Sequence, residues 1–173
     1  TALQYFKPKL PAQELFDLAI KYVSPGAVVW DVGANAGVFT FAAAARAGEN
    51  GQVIAVEADI YLANILRRSA LIRENQNLNI VVLPVAASDD IGMSRFLIAQ
   101  RGRASNSLER SGHRSQAGGT RYVQYAPTIT LDSLLDEFKA PSLLKIDVEG
   151  AEQFVLKGSN KLLSDYRPTI YCE

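Results

Sequence analysis

From residue 27 onward the chain alternates short apolar runs with longer stretches whose apolar residues recur at helical spacing. Residues 27–32 (AVVWDV), 52–57 (QVIAVE) and 79–85 (NIVVLPV) are the first three runs. Their valine and isoleucine content predicts strands buried on both faces. Between them, residues 38–47 (VFTFAAAARA) are alanine-rich and end at Gly48, which predicts a helix. Residues 60–73 predict another, with Leu62, Ile65, Leu66, Ser69 and Ile72 on one face and Arg67, Arg68 and Arg73 elsewhere. Ahead of these, Leu15, Leu18, Ala19 and Tyr22 share one helical face and Pro11 suits a first helical turn. Residues 1–26 therefore read as a helical lead-in closed by Ser24-Pro25-Gly26. Pro84 gives the third strand an edge character.

The alternation lapses after Ser88. Residues 95–99 and 122–131 predict extra strands, and 132–138 a short helix. Between them, residues 100–120 are polar, aperiodic and carry Gly102, Gly112, Gly118 and Gly119; they read as an irregular loop of lid length. Regularity returns with a strand over 143–148, a helix over 151–163 broken at Gly158, and a strand over 168–172. No repeat or linker divides the chain, so residues 1–173 read as a single domain. The expected architecture is α/β, a three-layer sandwich around a mainly parallel sheet of strand order 3-2-1-4-5, with 143–148 counted as the fourth strand. Such sheets bind ligands beyond the carboxyl ends of their strands, just after Val32, Val56, Val85 and Ile146.

Three groups of residues with chemical potential fall at those ends. Asp31-Val-Gly-Ala-Asn-Ala-Gly37 joins a strand to a helix. Gly33 permits the tight turn, Asn35 tolerates positive φ, and Gly37 lets the backbone approach a ligand at a helix start suited to an anion. A dinucleotide fingerprint would need a third glycine where Val38 stands, and Asp31 would repel a pyrophosphate. Asp31 instead suits an amino group, so the motif asks for an amino acid moiety such as the methionine end of S-adenosylmethionine. A glycine turn without a ligand is the bland alternative. Glu57 ends the second strand at an offset suited to holding a ribose diol, and Ala58 beside it leaves room for a base. Asp147 and Glu149 emerge from the strand over 143–148, where carboxylates can orient a cofactor's amino group or take a proton from a hydroxyl. Helix capping and turn formation around Gly150 explain Glu149 equally well.

In this order, DVGANAG, VEAD, VAASDD, TLDSLL and IDVEGAE resemble the FkbM family of methyltransferases, over nearly the whole chain from about Tyr5 to Glu173. The resemblance implies a Rossmann-like, class I methyltransferase fold and O-methylation of a hydroxyl on a sugar, polyketide or similar small metabolite. By position it implies Asp31, Gly33, Asn35, Gly37 and Glu57 as cofactor contacts, Ala86 and Ala87 by the adenine, and Asp147 near the transferring methyl. Methyltransferases of this fold normally continue into a C-terminal hairpin, which would leave residues 169–172 here as an edge strand open to a second chain. A cofactor-binding module without catalysis, or an NAD-dependent oxidoreductase, are the rival readings.

Charge adds little. Eighteen basic side chains match eighteen acidic ones, which gives no electrostatic reason to expect nucleic acid or an anionic membrane as partner. The lone Cys172 and the lack of a leader pattern suit a reducing, cytoplasmic setting without an internal disulfide. No clustered oxygen ligands stand out for a metal beyond Asp147 and Glu149, so none is expected. His113 is the single histidine and hence the single candidate for a histidine base, although a solvated loop residue is the plainer reading. Arg101, Arg103, Arg110, Arg114 and Arg121 either clamp an anionic substrate or solvate that loop.

Overall fold

A computed structural model describes residues 12–100, 106–111 and 119–173. Five strands build one wholly parallel sheet: β1 (Val28–Val32), β2 (Gln52–Val56), β3 (Ile80–Leu83), β8 (Leu143–Ile146) and β9 (Thr169–Cys172), in the order β3-β2-β1-β8-β9. The two faces of this sheet are sorted by the period of two along each strand. Val29, Val53 and Leu143 pack with Leu18 and Ala19 of helix α1 (Ala12–Tyr22) and with Phe39 and Ala43 of α2 (Val38–Ala47). Ala55 and Val82 continue that face under Ala63 and Leu66 of α3 (Ile60–Ala70). Trp30, Val32, Ile54, Val56, Leu144 and Ile146 point the other way, against Leu131 and Leu134 of α4 (Leu131–Leu134), Val155 of α5 (Glu152–Lys157) and Leu162. Helices thus cover both faces, which is why these strands read as unbroken apolar runs.

The strand order differs in detail from the expected 3-2-1-4-5. The strands expected as fourth and fifth are the eighth and ninth in the chain, because four others intervene and form a second sheet in the order β4-β7-β5-β6. These are β4 (Ala86–Ala87), β5 (Gly92–Ala99), β6 (Ser107–Leu108) and β7 (Thr120–Ile129). The β5–β7 pair is a long antiparallel ladder, and β6 adds to β5 antiparallel. The expected third strand over 79–85 is split: Pro84 has no N–H to donate, and the chain leaves the first sheet after Leu83 to pair Ala86–Ala87 with Thr128 and Ile129. Residues 100–120 are not wholly irregular, since they contain β6 and a 3₁₀ turn at Glu109–Ser111. The remainder of the lid reading, at 101–105 and 112–118, lies outside the described residues.

Several other element ends move. The helix expected over 60–73 stops at Ala70 and is followed by a 3₁₀ turn at Arg73–Asn75. The helix expected over 151–163 breaks at Gly158, as its glycine suggested. A side chain there would put its Cβ 2.0 Å from the Ser88 carbonyl oxygen, so only glycine allows α5 to sit against that loop. β9 has β8 on one side and ends the sheet, with Ile170 exposed. Among the described residues no helix is long and apolar enough to cross a membrane.

Candidate functional site

At the carboxyl ends of β1, β2 and β8 the chain lines a half-open cleft, a place where parallel sheets of this kind bind ligands. One end is built by Gly33, Asn35, Asp147 and Glu149, which come from the turns after β1 and β8. Glu57 and Ala58 lie after β2, and Ala86 and Ala87 form β4. Leu62, Phe96 and Leu108 give the remaining wall an apolar surface. The second sheet supplies much of that wall: Ala86, Phe96, Ile98, Leu108 and Ala126 share a core that reaches Ala58, Val148 and Ala151.

Glu57 is held by its own neighbours. Its Oε2 accepts from the Asn35 backbone N–H and its Oε1 from the Asp59 N–H, both at 2.7 Å. The side chain is 7% exposed, and burial is the largest influence on its acidity. It pushes the carboxyl up to about 7, with help from the Asp59 and Asp31 charges and against the two N–H bonds. The oxygens keep further lone pairs, so a diol reaching Glu57 through the cleft could donate to both. Asn35 adopts φ +52°, the left-handed conformation that asparagine tolerates, in the turn whose N–H reaches Glu57.

Gly33 makes the tight turn expected of it and is required for a second reason as well. Its φ is +82°, and a Cβ there would lie 1.7 Å from the Asp147 carbonyl oxygen. Glycine thus lets the turn after β1 pass against the end of β8. Gly37 is the N-cap of α2 and does not line the cleft; a Cβ on it would crowd Leu66 and Phe41 at 3.0 Å. The close approach read at Gly37 is to the protein's own side chains. α2 begins without a side-chain cap.

Asp31 departs most from the sequence reading. It is fully buried and does not line the cleft. Its Oδ2 accepts from the Thr40 hydroxyl at 2.6 Å, and its Oδ1 faces the Lys145 ammonium at 3.4 Å. Strand parity turns Asp31 onto the face covered by α2, and the parallel register sets it beside Lys145 on β8. Lys145 also donates to Asp147 Oδ2 at 3.3 Å and lies 5.9 Å from the Phe39 ring centroid. Burial is the strongest single influence on Lys145 and pulls its pKa down, but the two carboxylates outweigh it and the net displacement is upward. Lys145 therefore stays an ammonium.

Sequence reasoning missed Lys145, although a lone lysine inside the apolar strand LLKI signals a buried acidic partner. It also missed Asn106, a buried cleft residue that donates to Asp59 Oδ2 and accepts from the Ala99 N–H, each at 2.8 Å. No sequence signal marks that position. Glu149 has φ +52° and is followed by Gly150 at φ +91°, so the turn expected at Gly150 starts one residue early. Arg110 is not open to an anionic ligand: Asp89 and Asp90 hold it at 2.5 and 2.8 Å over the Phe154 ring. His113, Arg101, Arg103 and Arg114 lie outside the described residues.

Comparison with known proteins agrees with this fold. The sequence profile described as the methyltransferase FkbM domain matches residues 31–173. No curated protein matches the chain in sequence. Among solved structures, a methyltransferase FkbM of Methylobacillus flagellatus KT superposes with a TM-score of 0.56 at 15% identity, covering 91% of this chain and 39% of that one. A precorrin-6y C5,15-methyltransferase of Geobacter metallireducens GS-15 gives 0.53 at 15% identity, over 96% of this chain and 65% of that one. The chain thus spans less than two thirds of the length of either protein, and at this identity the likeness concerns the fold.

Proposed function

Because the chain belongs to the FkbM methyltransferase family, we propose that its cleft binds S-adenosylmethionine and serves O-methylation of a hydroxyl on a small metabolite such as a sugar or polyketide. The observation that carries this reading is Glu57, a buried carboxylate at the end of β2 that lines a cleft with apolar walls. Its placement suits a ribose diol, with the base against Ala58, Ala86, Ala87 and Phe96. The same cleft also carries Asp147 and Glu149, groups suited to cations and hydroxyls rather than to the second phosphate of a dinucleotide.

When bound, S-adenosylmethionine supplies a methyl group activated by a positively charged sulfur. The protein's work is then alignment and exclusion of water. Glu57 holds one end of the ligand, and the wall from the second sheet keeps the cleft dry at Phe96 and Leu108. A carboxylate of the same cleft, Asp147 or Glu149, orients the acceptor hydroxyl and takes its proton. Calorimetric titration with S-adenosylhomocysteine and with NAD tests the binding half of the proposal. Binding of the first and not the second is the expected result; the reverse would refute it. For the full-length protein, transfer of labelled methyl groups to hydroxylated metabolites tests the chemical half.

A further inference from the structure

The parallel ladders around β2 end at Val56, which is paired with Val32 on one side and Leu83 on the other. The turn that follows, Ala58-Asp59-Ile60, carries the backbone N–H that Glu57 Oε1 accepts, yet it lies past both ladders. Its support comes from the second sheet. Gln124 of β7 donates from Nε2 to the Ala58 carbonyl at 2.6 Å and accepts at Oε1 from the Ile60 N–H at 3.3 Å. This one side-chain amide makes the two bonds that a residue of a neighbouring parallel strand would make to Ala58 and Ile60. Gln124 stands opposite Phe96 in the β5–β7 ladder, so both side chains leave the sheet on the same face, the one that Phe96 turns to the cleft.

Asn106, just ahead of β6, secures the residue in between. Its Nδ2 donates to Asp59 Oδ2 and its Oδ1 accepts from the Ala99 N–H of β5, each at 2.8 Å. Asp59 is fully buried, and its other carboxylate oxygen accepts from the Tyr61 N–H at 2.9 Å and caps α3. Two amides of the second sheet thus grip three consecutive residues, and the middle one donates to Glu57. A clamp serving stability alone has no need to close on that residue. We infer that Gln124, with Asn106, is a positioning residue for Glu57, and that the second sheet thereby sets the cleft's selectivity for a vicinal diol. The identity of the diol as a ribose rests on the S-adenosylmethionine reading above. Asn106 lines the cleft and Gln124 does not, so Gln124 acts on a ligand through the turn and gives the cleaner test.

The test compares S-adenosylhomocysteine with its 2′,3′-dideoxy analogue, identical but for the missing diol, by calorimetric titration. Wild-type protein is expected to prefer the diol by about tenfold or more, the usual weight of charge-assisted hydrogen bonds. Gln124→Leu keeps the bulk of a half-buried side chain and deletes both of its bonds to the turn. It should cut the preference to about threefold or less and leave the affinity for the dideoxy probe within about twofold, which also shows that the cleft is still folded. In a Glu57→Gln background, Gln124→Leu should change the two probes alike. A preference kept in Gln124→Leu overturns the inference. Equal loss for both probes also overturns it, by showing a structural role, and so does a further loss of preference in the Glu57→Gln background. A second readout needs no ligand. The Glu57 carboxyl feels the Asp59 and Asp31 charges and the two N–H bonds, of which the Asp59 N–H lowers its pKa. Loosening that bond in Gln124→Leu should raise the midpoint of a carboxyl NMR titration above the wild type's value of about 7; an unmoved midpoint overturns the inference. Wild-type protein that binds neither probe refutes the S-adenosylmethionine reading itself, and the titration then decides the positioning of Glu57 alone.

Discussion

Two carboxylates stand at the ends of adjacent strands and meet opposite fates. Asp31 of β1 is sealed under α2 with a lysine, a hydroxyl and an aromatic ring around it. Glu57, just beyond β2, is almost as buried, yet it opens on a cleft and among the described residues is held by two backbone N–H groups. The first charge is matched inside the fold. The second is desolvated without a cation beside it among the described residues, and burial pushes its carboxyl up to about 7. A group held in an unfavourable state at the rim of a cleft has the character of a binding residue; one neutralised beneath it has the character of a support.

The comparison breaks most visibly at Lys145. Lys145→Met leaves Asp31 and Asp147 without their shared cation, and denaturant unfolding near neutral pH should show a loss of about 3–5 kcal/mol, as for other severed buried pairs. An unchanged midpoint would mean that Asp31 is not supported by this ion pair.

Glu57 should behave in the opposite sense. Its pKa is higher in the folded state than its ordinary value of 4.5, so the folded protein binds the proton more tightly. Its contribution to stability is therefore greatest in acid and is lost as the pH rises from the ordinary value towards about 7. The whole swing is on the order of 3 kcal/mol. Glu57→Gln should remove it, so the variant gains stability on wild type as the pH rises through this window. Ligand affinity should change the other way and increase with pH, because the ionised carboxylate is the better acceptor for a diol. A variant whose stability tracks wild type throughout would show that Glu57 is not desolvated.

The smallest change comes from Thr40→Val, which keeps the shape of a fully buried side chain but deletes its 2.6 Å bond to Asp31. A loss of about 2 kcal/mol in thermal or denaturant unfolding is expected, with cofactor affinity unaltered. A selective loss of affinity instead would place Asp31 in direct contact with the ligand.

The same contrast explains what could be read in the chain. The turn at Gly33 and Asn35 and the place of Glu57 just after β2 were legible because strand, turn and helix succeed one another locally. The parallel sheet was legible for a related reason: its strands are apolar on both faces because helices cover both. The fate of Asp31 was not, because it depends on the β1–β8 register, which brings Lys145 in from far along the chain. The second sheet was likewise hidden. β4 and β6 have two residues each, too few for a period, and their pairing partners lie in β5 and β7. Asn106 is placed by that sheet and inherits its illegibility.

A crystal structure of the protein with S-adenosylhomocysteine tests the central claim most directly. The account predicts both ribose hydroxyls within hydrogen-bonding distance of the Glu57 carboxylate, the adenine against Ala58, Ala86 and Phe96, and the amino acid end beside Asp147. A ligand bound elsewhere, or one in this cleft whose ribose leaves Glu57 untouched, would contradict it.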